Sequence, residues 1–175
     1  AICETTGADI NEVSRAIGMD TRIGEKFLNA GPGYGGSCFK KDILNLVYLS
    51  KYYGLNEVAS YWQKVVDLNN WQQHRIRQII VKKLFNNLTD KKIGIMGFSF
   101  KANTNDTRES PAIQICKDLI EEGADLRIYD PKVNKFQIEK DLEQKQLNNN
   151  GDGSWTLCES IKDIAIDADA IVIAT

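Results

Sequence analysis

The segment "NEVASYWQKVVDLNNWQQHRIRQIIVKKLFNNL", residues 56–88, runs without a glycine or a proline. Its apolar residues, among them Val58, Trp62, Val66, Ile76, Ile80 and Leu84, recur at threes and fours, the period of a helix face. This predicts one helix over 57–88, roughly 30 residues long, where globular helices average about 11–12. A chain of 175 residues that commits so much length to one rod must lay its other elements along it. Large aromatics on more than one side of the rod ask for a second face to be buried. A homodimer or higher homo-oligomer through 57–88 is therefore expected, the alternative being a helix packed only within its own chain.

The segments before the rod read as helical. "ADINEVSRAIG" has Asp9 at an N-cap, Ile10, Val13 and Ile17 on one face, and Gly18 as a stop. "SCFKKDILNLVYLSKYYG" is a second helix, capped by Ser37 and closed by Gly54. After the rod the period changes. "KKIGIMGF", "ADLRIYDP" and "ADAIVIAT" read as short apolar strands. "SPAIQICKDLIEEG" is a helix with Ser110 at the N-cap, Pro111 at the first position and Gly123 beyond its end. "KVNKFQIEKDLEQKQLNNNGDGSW" reads as a polar surface helix and a loop, and "SIKDIAIDA" as a short helix. Strand, helix, strand, helix, strand is half of a doubly wound parallel sheet. The expected class is α/β: an all-helical central segment, 1–88, followed by a C-terminally truncated Rossmann-like parallel domain, 89–175. Ala1 begins inside a helical pattern and Thr175 closes on a strand-like run, so a piece of a longer protein is expected.

Composition removes several classes. A net charge of -2 offers no electrostatic basis for binding nucleic acid or an anionic membrane. No apolar run approaches the roughly 20 residues that span a bilayer. Cysteines stand at 3, 38, 116 and 158, with no C-x-x-C pair and one histidine, His74. That spacing speaks against a structural metal; reduced thiols and a cytoplasmic setting are expected.

The chemistry concentrates in "NAGPGYGGSCFKKD", Asn29 to Asp42. So many glycines are costly unless the backbone turns with positive φ or approaches something closely. With Ser37 as cap, Cys38 falls in the first turn of its helix, where free N–H groups and the dipole favour an anion and activate a thiol. Asp42, four residues on, shares that face. A carboxylate there cannot help a thiol ionise, but it can hold a water near whatever the sulfur carries. Lys41 offers a compensating cation.

"GPGYGGSCFKKD" resembles the catalytic loop of the UDP-glucose/GDP-mannose dehydrogenase family. "KKIGIMGFSFKANTNDTRES" resembles the segment that opens that family's nucleotide-sugar domain, and the order and spacing of the two agree over the whole chain. "RIGEKFLNAGPGYGGSCF" and "DTRESPAI" point to the members acting on UDP-glucose. The resemblance implies oxidation of the sugar C6 alcohol to a carboxylate by two NAD+ through a thiohemiacetal and a thioester. Cys38 matches the nucleophile and Asp42 the residue that positions water. Arg22 matches an arginine that reaches a substrate across a dimer. Phe27, Leu28, Asn29, Gly33, Tyr34 and Gly35 match the loop around the nucleotide sugar, with Asn29 standing where some relatives carry lysine. Phe100 and Lys101 match contacts to diphosphate and sugar, while Lys41 and Arg108, with Cys38, match the NAD side. The family's dinucleotide domain is implied to precede this chain and the rest of its nucleotide-sugar domain to follow, so the chain alone is expected to lack dehydrogenase activity.

Other outcomes stay open at this stage. The same loop serves GDP-mannose and UDP-N-acetyl-sugar dehydrogenases. A helical dimer that holds a nucleotide sugar without chemistry needs an inert Cys38. A cysteine hydrolase needs a base, and nothing in the sequence brings His74 to Cys38.

Overall fold

The computed structural model describes residues 1–142 and 153–174. Two compact units are present, 1–31 and from Pro32 onward. The first holds α1 (Ile2–Thr6) and α2 (Ile10–Gly18), the latter begun by Asp9, whose carboxylate accepts the Asn11 N–H. Gly18 is the last residue of α2, not a left-handed stop; Met19 is the C-cap.

In the second unit α3 (Phe39–Tyr52) and α4 (Asn56–Lys83) form a helical hairpin turned at Gly54, where φ is +74°. α3 buries Ile43, Val47 and Ser50, and α4 buries Ala59, Val66 and Asn69. α4 is 28 residues long. It stops at Lys83, short of the expected 88, because Phe85 and Asn86 both take positive φ and turn the chain back. Its last turns, through Ile76, Ile80, Val81 and Leu84, pack on the core of the α/β layer. The rod thus serves the hairpin with one half and the sheet with the other.

That sheet contains β1 (Lys92–Met96), β2 (Asp125–Tyr129), β3 (Ser154–Leu157) and β4 (Ala170–Ile173), joined through α5 (Pro111–Glu121), α6 (Lys135–Leu142) and α7 (Ile161–Ala165). All three pairings are parallel, in the order β3-β2-β1-β4. Ser110 caps α5 by accepting the Ala112 N–H, with Pro111 behind it. Ile93 and Ile95 of β1, Leu126 and Ile128 of β2, and Ile115 and Leu119 of α5 form the buried centre. β3 corrects the three-strand expectation. Only Trp155 and Leu157 of its four residues face the core, too short an alternation to stand out beside a polar run. The loop expected over 143–152 lies outside the described residues.

One carboxylate ties the carboxyl ends of β1 and β2 together. Asp130 Oδ2 accepts the N–H groups of Phe98 (2.8 Å) and Ser99 (3.0 Å), and Oδ1 those of Lys132 (2.8 Å) and Val133 (3.0 Å). Partial burial pushes its carboxyl up, but the four donors outweigh that and leave it below the usual carboxylate range. The native state therefore binds this proton less readily than the unfolded chain. Its stabilisation is complete above the unfolded pKa near ~3.9 and disappears as pH falls through the lower native value. Asp130→Asn, which turns donor against donor, is expected to lower unfolding stability by about 2 kcal/mol at neutral pH. Urea melts of both proteins should converge once the pH drops below the native pKa.

Candidate active site

The turn from Pro32 to Cys38 lies against the segment that leaves β1. The Gly36 N–H donates to the Arg108 carbonyl at 2.8 Å. A Cβ on Gly35 would stand 2.4 Å from the Glu109 carbonyl oxygen. On Gly36, where φ is +88°, it would meet the Phe100 ring at 3.0 Å. These two glycines are required because the turn rests on the protein's own backbone. Room for a substrate, the sequence-based reason for them, is not needed to explain either. Lys40 Nζ adds an ion pair to Glu109 Oε2 at 2.7 Å; both side chains are part-exposed, so it orients more than it stabilises. The two sequence motifs, some seventy residues apart in the chain, are packed against each other.

Cys38 itself is the N-cap of α3, with no side-chain capping bond. Ser37, the expected cap, instead lies with its hydroxyl 3.5 Å from the Cys38 sulfur. The reason is where the helical ladder begins: the Cys38 carbonyl accepts the Asp42 N–H at 2.8 Å, so the sulfur sits one residue earlier than predicted. It remains at the end where α3 presents unpaired N–H groups. Asp42 stands in the first turn and is exposed, as is Lys41.

Arg108 brings positive charge to the sulfur. Its guanidinium is held above the ordinary range by hydrogen bonding to Asp106, and to a smaller extent by the charge of Cys38. The Arg108 Nε and Nη2 atoms donate to the two Asp106 oxygens at 2.9 and 2.7 Å, which holds that carboxyl below its usual range. The first unit repeats the same D-T-R turn: Arg22 Nε and Nη2 donate to Asp20 at 3.0 and 2.6 Å. Asp20 and Asp106 were missed from the sequence, although the tripeptide occurs twice. Phe100 donates its N–H to the Asp106 carbonyl at 3.0 Å, and Lys101 Nζ lies 5.2 Å from the Phe100 ring centroid.

Tyr34 packs edge-on against Phe39, ring centroids 4.6 Å apart. Its hydroxyl is buried and has no hydrogen-bond partner among the described residues. Burial, then the charge of Glu109, pushes its phenol up. Asn69 of α4, another residue missed from the sequence, binds the Tyr34 backbone. Arg22, Phe27, Leu28 and Asn29 belong to the first unit; Phe27 is fully exposed there at φ 66°. His74 Nδ1 lies 2.7 Å from Asp118 Oδ2 on α5, a pairing that occupies it away from any role as a base for Cys38.

A separate cavity of about 310 Å³ opens at the carboxyl ends of β1 and β2, lined by Gly97, Asn103, Thr104, Tyr129, Asp130 and Lys132 among others. Its position is where open parallel sheets take ligands, yet neither Cys38 nor Lys101 lines it. Among the described residues no group of acids, histidines and cysteines could hold a metal, and no helix is long and apolar enough to cross a membrane.

The fold is an α/β half-sheet carried on a long helix, with a cysteine turn docked at the sheet's carboxyl edge. Residues 1–71 match the UDP-glucose/GDP-mannose dehydrogenase family central domain, and residues 94–175 match that family's UDP binding domain. The chain belongs to this family. It is 58% identical over 142 residues to the UDP-glucose 6-dehydrogenase of Drosophila melanogaster, covering 81% of this chain and 30% of the fly protein. To the Gallus gallus UDP-glucose 6-dehydrogenase it is 52% identical, covering 100% of this chain and 36% of the other. The solved UDP-glucose dehydrogenase from Pyrobaculum islandicum superimposes with a TM-score of 0.83 at 28% identity, covering 98% of this chain and 37% of that one. The chain thus spans about a third of the length of these relatives.

The docking makes a direct prediction. Gly35→Ala forces a Cβ into the Glu109 carbonyl and should lower unfolding stability by on the order of 2 kcal/mol. Gly31→Ala, with nothing within 4 Å of the added carbon, should change it by less than about 0.5 kcal/mol. Paired thermal melts read the difference.

Proposed function

We propose that this chain supplies the cysteine-bearing and nucleotide-sugar-binding part of an NAD-dependent UDP-glucose 6-dehydrogenase, which oxidises UDP-glucose twice to UDP-glucuronate. The observation that carries the proposal is Cys38. It alone of the four cysteines is exposed, it stands at a helix start, and Arg108 lies within electrostatic reach. Burial pushes the Cys116 thiol far up. Burial, then the charge of Asp163, pushes Cys158 up as well. Both are poorer candidates for the nucleophile than Cys38.

In this reading NAD, when bound, supplies the acceptor for the hydride lost in each oxidation. The exposed cations Lys41 and Arg108 suit an anionic cofactor, which they would hold on the Cys38 side. Once the alcohol has become an aldehyde, the Cys38 thiolate adds to its carbon and forms a tetrahedral thiohemiacetal. Loss of hydride from that carbon leaves a thioester. Water held by Asp42 then attacks, the C–S bond breaks, and the sulfur leaves with the electron pair as carboxylate forms. A thiolate is a better leaving group here than a serine alkoxide, whose ester would hydrolyse more slowly. Phe100 and Lys101 would meet the diphosphate and sugar. The Gly33–Gly35 backbone and the Tyr34 ring would contact the nucleotide; in the first unit, by the family resemblance alone, Phe27, Leu28 and Asn29 would bind the nucleotide sugar and Arg22 would reach the substrate of a partner protomer.

A homodimer through α4 is part of the proposal. Tyr61, Leu68 and Trp71 of α4 and Tyr48 and Tyr52 of α3 are large, apolar and exposed, more than a monomer leaves uncovered without a use. Four free thiols suit a cytoplasmic setting.

The test uses a full-length enzyme carrying this chain. It should release two NADH per UDP-glucose consumed, and its kcat/KM for UDP-glucose should exceed that for GDP-mannose or a UDP-N-acetyl-sugar. The 1–175 chain alone should produce no NADH above a protein-free control. A higher kcat/KM for another nucleotide sugar would reassign the substrate, and turnover by 1–175 alone would overturn the division of labour.

A further inference from the structure

We propose that Asn69, in the middle of α4, is a positioning residue for the cysteine turn; this rests on the functional reading of Cys38 and Gly33–Gly35 given above. Asn69 is 7% exposed. Its Oδ1 accepts the Tyr34 N–H at 2.8 Å, and its Nδ2 donates to the Tyr34 carbonyl at 3.2 Å. One side-chain amide thus satisfies both main-chain groups of a single residue, as a neighbouring strand would. A carboxylate could only accept and an ammonium only donate, so the position calls for an amide.

Gly33 completes the fit. Its φ is +141°, and a Cβ there would come within 2.7 Å of the same Asn69 oxygen. The glycine two residues past Gly31 is therefore explained by the amide it faces, as Gly35 and Gly36 are explained by the 100–109 segment. Tyr34 stands four residues before Cys38, and its ring lies against Phe39, the residue after the cysteine. A displacement at Tyr34 is passed to the start of α3 by that ring contact. The turn is anchored at two points, Tyr34 to Asn69 of α4 and Gly36 to the Arg108 carbonyl. A single anchor would leave the backbone between them free to rotate about the other.

The experiment combines hydrogen exchange with kinetics in the full-length enzyme. Asn69→Ala removes both bonds to Tyr34 and should speed amide exchange over 32–38 by at least about tenfold, while α5 and β1 keep their rates. It should lower kcat/KM for UDP-glucose by a similar factor and leave KM for NAD within about twofold. Gly33→Ala pushes on the same amide from the other side and also strains a positive φ, so it should do at least as much, and the double variant should fall short of the sum of the two single losses. Asn69→Asp keeps the volume but sets a carboxylate oxygen against the Tyr34 carbonyl, so it should speed exchange over 32–38 at least as much as Asn69→Ala, and the exchange of Gly33→Ala covers the case in which the alanine variant misfolds. Unchanged exchange over 32–38, or losses that add in the double variant, would overturn the proposal. A wild-type enzyme inert toward UDP-glucose would instead sink the functional reading, and the exchange result would still decide the role of Asn69.

Discussion

The contact on which the rest depends is the seating of the cysteine turn on the backbone that follows β1. A hydrogen bond from Gly36 to the Arg108 carbonyl and the missing side chain of Gly35 against Glu109 bring two distant stretches to one place. Without them Cys38 would be a thiol at the start of an ordinary surface helix. With them the turn that carries it lies against the Phe100 ring and the Arg108 backbone. Backbone groups satisfied by backbone are among the least variable contacts a chain can make, and this one needs glycine because any Cβ would occupy the space of a carbonyl.

The seat is held in turn by the sheet. Asp130 takes the N–H groups of Phe98 and Ser99, just past β1, into its carboxylate, which fixes the start of the segment that runs on to Glu109. In an open parallel sheet those N–H groups are the usual receivers of a ligand's phosphate. Here an internal carboxylate has them, so the strand end positions a loop. α4 supports the same assembly from the other side, packing on the sheet with its last turns and binding Tyr34 through Asn69. The long helix that dominated the sequence is thus the common support of the hairpin, the sheet and the turn.

Much of this was legible in the amino-acid order because local rules agreed with the final packing. Ser110 and Pro111 began α5 as their chemistry dictates, and the glycine-free run gave α4. The misses have physical causes. α4 ended early because Phe85 and Asn86 take positive φ; asparagine is a residue that stops helices this way, a weaker signal than the glycine or proline the run lacks. β3 has only two inward side chains, below what alternation can reveal. Ser37 has the better capping side chain, but tertiary docking of Gly35 and Gly36 set the ladder to start at Cys38. Asn69 looked like any polar residue on a helix, since its partner is a backbone thirty-five residues away.

The measurement that bears most directly on the account is product analysis of the full-length enzyme with Cys38→Ala. On the proposed function, the half-oxidised sugar then has no sulfur to capture it, so UDP-glucuronate should fall by about a thousandfold or more relative to wild type while folding is kept. UDP-glucuronate formed by that variant at a rate comparable to wild type would show that the exposed thiol carries none of the chemistry, and the seat built around it would need another explanation.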